Sequence, residues 1–298
     1  MLQINKSDMK NIHTISIIFI LAILSFNVFT QNIELSIIHT NDIHSQIEPI
    51  NKNVEGFMAD KGGIVRLLTY IDQEKSKNDN VLLLDAGDFS QGSSFYSIYH
   101  GEVEIAFMNT INYDAATLGN HEFDLGMENL AKLVKSANFP FVNCNYDFTN
   151  TPLNGLIKPY IIIHKSGLKI GIFGLGPQNL SNLTFKKHVE GILYKDTFES
   201  AYEIADKLKN EEECDLVICL SHIGWDNKDA YSKTGVNVCD STLALHSKDI
   251  DIIIGGHSHT YMEQGKVVEN INGQPVYINQ TSGVTATVGK MDIVLEAK

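Results

Sequence analysis

The chain has 298 residues, 43% of them apolar and 20% charged, so it can bury one large core or two modest ones and is neither disordered nor fibrous. Lys+Arg 23 against Asp+Glu 36 gives a formal net charge of −13, which argues against nucleic acid as a partner. Arg66 is the lone guanidinium, so arginine clamps cannot be the main device for holding an anion.

Residues 11–33 carry no charge, follow Lys6 and Lys10, and hold an apolar stretch over 15–29. That arrangement predicts a secretory signal over 1–30, leaving a periplasmic or secreted mature chain over 31–298 with no stable membrane insertion. The apolar stretch would span only about 22 Å as a helix against about 30 Å of hydrocarbon, too short for an anchor.

Short apolar, β-branched runs then predict strands at 33–39, 81–84, 115–118, 141–143, 160–163, 169–173, 216–220, 251–254, 276–278 and 286–295. Helical periodicity lies between them at 64–73, 103–111, 127–136, 197–209 and 241–247, the first with Ile64, Leu67, Leu68 and Ile71 on one face. This alternation predicts an α/β layered domain. Ser166-Gly167 between two runs is a hairpin signal, so the sheets should be mixed. No linker, charge block or repeat divides residues 31–298, which read as one domain. Cys144, Cys214, Cys219 and Cys239 are too few for a disulfide framework and lack metal-site spacing. Cys214 and Cys219 are placed on opposite faces of one extended segment, and Cys219 reads as a buried thiol.

Five polar clusters each follow an apolar run: Asp42-Ile43-His44, Gly87-Asp88, Gly119-Asn120-His121-Glu122 with Asp124, Ser221-His222, and Gly255-Gly256-His257-Ser258-His259. In an extended segment residues two apart share a face, so Asp42 and His44 can grip one cation together, and His257 and His259 likewise share a face. Taken singly, each cluster has a bland reading as a turn, a cap or a core histidine. Their shared position at strand ends is what independent structural needs would not arrange, because loops at the carboxyl ends of neighbouring strands converge. Three Asp/Asn oxygens and four imidazoles are too many donors for one ion and suit two borderline divalent cations with one bridging carboxylate. Such a pair stabilises in-line displacement at phosphorus, and its charge lets an acidic chain with one arginine hold a phosphoryl group.

These residues carry a resemblance. His39-Thr40-Asn41-Asp42-Ile43-His44, Gly62-Gly63 with Arg66, Asp85-Ala86-Gly87-Asp88-Phe89, Gly119-Asn120-His121-Glu122-Phe123-Asp124, Ser221-His222 and Gly256-His257-Ser258-His259 occur in the order found in the metallophosphatase domain of the 5′-nucleotidase family. The sequence resembles that domain, within the calcineurin-like metallophosphoesterases, from about residue 35 to its end. The resemblance implies two facing mixed β-sheets flanked by helices. It implies that Asp42, His44 and His259 hold one metal, that Asn120, His222 and His257 hold the other, and that Asp88 bridges them. It places His121 against the phosphoryl group as a proton donor rather than a ligand, oriented by Asp124, with Asn120 and His121 also touching substrate. The attacking species would be a metal-held water or hydroxide. Zinc or manganese is the expected metal, with iron and cobalt chemically open. His13, His39, His100, His164, His188 and His246 are left as structural.

The implied activity is hydrolysis of nucleoside 5′-monophosphates. Alternatives are 2′,3′-cyclic phosphates, nucleotide sugars, or a sulfur ester as in the related thiosulfohydrolases. A noncatalytic binding protein is disfavoured because every ligand type is present. Full-length members of the family continue into a second, nucleotide-binding domain that this sequence does not show before Lys298, so the expectation is either a separately encoded domain as partner or a substrate smaller or less defined than a nucleotide.

Overall fold

The strand β1 (Ile33–Thr40) ends in six consecutive buried residues, and β2 (Val81–Asp85) is buried throughout. That is the pattern of strands covered on both faces. In the computed structural model, which describes residues 32–226 and 235–295, these strands are parallel neighbours in a five-stranded sheet. Its order is β13 (Gly289–Leu295), β1, β2, β3 (Ala115–Thr117) and β4 (Phe141–Val142), with β1 to β4 parallel. A ribbon of β5 (Tyr146–Asp147) and β8 (Leu193–Tyr194) stands apart. The second sheet has six strands in the order β11 (Lys266–Glu269), β12 (Pro275–Asn279), β10 (Ile252–Gly255), β9 (Leu216–Ser221), β7 (Leu168–Leu175) and β6 (Tyr160–Lys165). Its inner four strands are parallel and both edge strands antiparallel, so it is mixed, as the hairpin signal predicts. Ser166 and Gly167 form that hairpin with φ of 57° and 82°, left-handed values suited to a tight strand reversal.

Helices cover the outer faces. Against the first sheet lie α1 (Ile64–Lys77), α3 (Glu102–Ile111) and α4 (Met127–Ser136), which bury Leu67, Ile71, Met108 and Leu130 with Ile38 and Leu83. Against the second lie α6 (Thr197–Asp206) and α7 (Asp240–His246), which bury Phe198, Ala201 and Leu243 with Val217 and Ile253. Short helices α2 (Ser94–Tyr99) and α5 (Leu180–Leu183), and 3₁₀ turns at His121–Phe123 and Lys186–Val189, complete the described chain. The alternate strand residues Ile37, Leu82, Ile172 and Ile254 are also fully buried, on the faces turned away from these helices. The two sheets approach closely where Gly174 of β7 meets Val142 and Thr117. A Cβ there would lie 2.1 Å from the Val142 carbonyl oxygen, so no side chain fits.

β5, β8, α2 and α5 stand where the sequence predicts no element, and three further elements depart from the sequence expectation. The helix expected over 197–209 ends at Asp206 and widens into a π turn (Lys207–Glu211), which keeps Leu208 buried beside Gly171. The last strand begins at Gly289 rather than 286, because Val284 and Thr285 take left-handed backbone and turn the chain. The exposed strand β11 lacks the apolar alternation that marks the others. All four cysteines are buried and unpaired, and Cys214 lies before β9 rather than within it.

Residues 35–293 form one compact unit. A second consists of 1–34 and 294–298, of which 32–34 and 294–295 are described. Among the described residues no helix is long and apolar enough to cross a membrane, and the apolar stretch over 15–29 lies outside them.

Candidate metal centre

β1, β2, β3, β9 and β10 each run straight into one of the five polar clusters. Parallel pairing aligns the carboxyl ends within each sheet, and the clusters meet. The chain does not stay extended there. Asp42, His44, Asp88, His257 and His259 have φ of 51°, 48°, 58°, 74° and 49°. Each left-handed residue costs about 1–2 kcal/mol, so the side chains share a target through tight turns rather than through strand periodicity. Backbone bonds secure these turns: Asp42 N to Gly87 O at 2.9 Å, His44 N to Asp88 O at 3.0 Å and Val284 N to Asp42 O at 2.7 Å. Gly87 and Gly256 admit the crossing of the loops, since a Cβ on either would meet His222 Nδ1 at 2.8 or 2.7 Å.

All the ligand candidates converge. One group unites Asp42, His44 and His259, with His44 Nε2 and His259 Nε2 3.0 Å apart and 3.8 and 3.2 Å from Asp42 Oδ1. A second unites Asp88, His222 and His257, with His222 Nε2 3.0 Å from Asp88 Oδ2 and 3.8 Å from Asp42 Oδ1. Asp88 also groups with His44 and His121, so it faces both halves. Asn120 completes the cavity wall with its Oδ1 buried and lacking any hydrogen-bond donor. Ring nitrogens pointed at one another across buried carboxylates, together with an orphaned amide oxygen, leave donors that a cation would satisfy. The imidazole and carboxylate set fits a borderline divalent ion. His222 Nδ1 donates to the Ala86 carbonyl at 2.6 Å, the partner that leaves Nε2 of a ligating histidine free.

Electrostatics follow from this crowding. Burial would raise the Asp88 carboxyl, but His222 outweighs it and holds Asp88 far below the usual carboxylate range. Burial would lower His222, but Asp88 and Asp42 outweigh it and push it up to about 10. Burial, then the charge on His222, pulls His257 down to about 4. The two carboxylates thus favour the protonated His222, and a metal held there would compete with that proton.

The cavity, about 450 Å³, is lined by His44, Asp88, Asn120, His121, His257 and His259, with Asp42 and His222 fully buried beneath. His121 Nδ1 lies 2.7 Å from Asp124 Oδ2, and the His121 amide donates to Asp88 Oδ1 at 2.9 Å. Burial lowers the His121 pKa, yet the Asp124 hydrogen bond and the Asp88 charge outweigh it, so the net shift is upward. Asp124 itself sits behind the ring, where Thr184 donates to its other oxygen at 3.3 Å.

Sequence reasoning missed Gln46, Gln91, Ser93 and Val284 on the cavity wall, none of which stands in a patterned cluster. It quoted Glu122 without a role. The buried Glu122 carboxylate accepts from the amides of Asp88 and Gly119 at 3.0 and 2.7 Å and so ties two ligand loops together. Arg66 pairs with exposed Asp60 outside the cavity. His39, His100, His164, His188 and His246 do not line it, and His13 lies outside the described residues.

The chain matches the model of the family described as calcineurin-like phosphoesterase over residues 35–261. It is 32% identical to human 5′-nucleotidase over 239 residues, covering 78% of this chain and 39% of that protein. Among solved structures it resembles a 5′-nucleotidase precursor from Thermus thermophilus, with TM-score 0.79 and 29% identity over 89% of this chain and 52% of the other. It also resembles the calcineurin-like phosphoesterase YfkN from Bacillus subtilis, with TM-score 0.72 and 31% identity over 89% of this chain and 86% of the other. The chain spans between 18% and 47% of the length of the curated relatives it matches.

Proposed function

The chain belongs to the calcineurin-like phosphoesterase family, and we propose that it is a hydrolase acting on phosphoester bonds, an exported, dinuclear-metal phosphohydrolase of nucleoside 5′-monophosphates. The observation that carries this reading is the single cavity shared by two ligand groups, with Asp88 facing both and His121 beside them.

In this reading Asp42, His44 and His259 would hold one cation, Asn120, His222 and His257 would hold the second, and Asp88 would serve both. The metals are zinc or manganese by donor type, with iron and cobalt chemically open. Two divalent ions, when bound, supply the positive charge that draws in phosphoryl oxygens and makes a water acidic enough to attack at neutral pH. The rest falls to the chain's own side chains. The Asn120 amide and the His121 ring orient the phosphoryl group against the floor of the cavity. Asp124 fixes the His121 ring through Nδ1, which leaves Nε2 to carry a proton toward the ester oxygen. As the bond from phosphorus to that oxygen breaks and a bond to the water oxygen forms, the His121 proton passes to the leaving alcohol. His121 is assigned to this task and not to ligation because both ligand sets are complete without it. Export rests on the uncharged apolar stretch after Lys6 and Lys10.

The test is one substrate panel, run with and without added zinc or manganese. It measures phosphate released from 5′-AMP, from a 2′,3′-cyclic nucleotide and from a nucleotide sugar, and sulfate released from a thiosulfonate. Metal-dependent release from 5′-AMP above the other three supports the reading. Preference for the thiosulfonate, or turnover indifferent to metal removal, contradicts it.

A further inference from the structure

Just past the end of β12 lies a dipeptide, Gln280-Thr281, that offers no metal ligand and yet is almost fully buried against two ligand loops, at 1% and 2% exposure. Gln280 Nε2 donates to the Gly256 carbonyl at 2.6 Å. Its Oε1 accepts from the Ser258 hydroxyl at 2.8 Å and from the Thr260 amide. A carbonyl only accepts and an amide N–H only donates, so these partners fix the orientation of the side chain and demand a residue with one donor and one acceptor. All three contacts fall on the loop carrying His257 and His259, whose left-handed backbone would relax without an external hold. Thr281 acts on the other loop. Its amide and hydroxyl both donate to Asn41 Oδ1, at 2.8 and 2.7 Å, and its carbonyl accepts from Asn41 Nδ2 at 3.2 Å. Asn41 Nδ2 in turn donates to Asp42 Oδ2 at 2.6 Å. The circuit closes where the His257 amide donates to the Asp42 carboxylate at 3.0 and 3.1 Å.

We propose that Gln280-Thr281 is a positioning unit, in which Gln280 sets the two-histidine loop that serves both metals and Thr281, through Asn41, sets Asp42. The inference rests on the metal-site reading above. Ligands held by buried outer partners lose about 10–100-fold in metal affinity when a partner is removed. The two residues should differ in which ion they affect. Gln280 holds His257 and His259, one from each ligand set, so Gln280→Glu, which as a carboxylate cannot donate to Gly256 and as an acid loses the acceptor-plus-amide pattern of Gln280, weakens both binding steps. Thr281→Val keeps the shape and the bonds of its own backbone but loses the hydroxyl, which donates to Asn41 and accepts from the Gly283 amide at 3.3 Å, so it weakens only the step that uses Asp42.

The experiment strips the full chain of metal and titrates zinc against a chromophoric chelator, with circular dichroism to establish that each metal-free variant is folded. Expected are two zinc sites in the wild type, both about 10–100-fold weaker in Gln280→Glu, and one about tenfold weaker in Thr281→Val with the other within threefold of wild type. A wild type that binds no zinc refutes the metal-site reading itself. Two wild-type sites left within threefold by both variants, or an equal loss at both sites in Thr281→Val, overturns the positioning role. Should Gln280→Glu fail to fold, the selective loss in Thr281→Val decides alone.

Discussion

If His121 donates the proton that lets the ester oxygen leave, its value must depend on how badly that oxygen needs one. A positioned general acid contributes about 10²–10⁴-fold, so His121→Ala should lower kcat on 5′-AMP by that factor, because a ribose alkoxide departs poorly unprotonated. A nitrophenyl phosphate releases a stable phenolate, and the same variant should lose less than about tenfold on it. Asp124 acts through the ring. At 2.7 Å and an effective dielectric of about 20, a full charge pair is worth about 6 kcal/mol gross. Both side chains are about a quarter exposed, at 25% and 26%, and solvent screening leaves about 1–2 kcal/mol, or about 5–30-fold for Asp124→Asn. In the His121→Ala background the second substitution should cost nothing further. Steady-state kinetics on both esters, with elemental analysis showing unchanged metal in each variant, provide the assay. Equal losses on the two esters would refute proton donation, and a full Asp124 effect without the imidazole would refute its action through His121.

Three further outcomes are expected. Asp88→Ala removes the carboxylate that faces both ligand groups, so both ions should be lost together in elemental analysis after dialysis; one ion kept at full occupancy contradicts the bridge. Burial pushes the Asp240 carboxyl up to about 7. Between about pH 4 and 7 the unfolded chain gives up that proton while the folded chain keeps it, so this group's contribution falls as pH rises through that window and is constant above it. Asp240→Asn, which keeps an acceptor for the Ser221 hydroxyl, should stabilise the metal-free protein at about pH 8 by up to about 4 kcal/mol and have little effect near pH 4. Denaturant melts at the two pH values check this, and the same difference at both would rule it out. Finally, Val284 is a β-branched residue at φ 47°, a conformation that glycine adopts freely. Val284→Gly should therefore change stability by less than about 1 kcal/mol, where truncating a relaxed valine costs more. A melting-temperature drop of 10 °C or greater would show the strain to be absent.

Much of the fold was legible because its strands are buried on both faces and read as unbroken apolar runs, such as 81–84 and 216–220. Edge elements were not. β11 exposes three of its four residues, and β5 and β8 are two residues each, so neither offers a hydrophobic period. The candidate site was legible as residue types at strand ends, and Asp42, His44, Asp88, Asn120, His121, His222, His257 and His259 do meet. What failed was the local geometry. Sharing of a face by Asp42 and His44 was expected from an extended segment, whereas both lie in left-handed turns held by backbone bonds to 87–88, contacts that no local pattern encodes. Gln280 and Thr281 also follow an apolar run, the same signal that marked the five clusters. They were passed over because amide and hydroxyl side chains carry no metal chemistry of their own.

The most direct measurement is anomalous scattering from crystals of the zinc-loaded chain. Two peaks are predicted, one among Asp42, His44 and His259 and one among Asn120, His222 and His257, each within ligand distance of Asp88. A lone peak, or a pair that leaves Asp88 uncoordinated, would contradict the two-cation cavity on which the account depends.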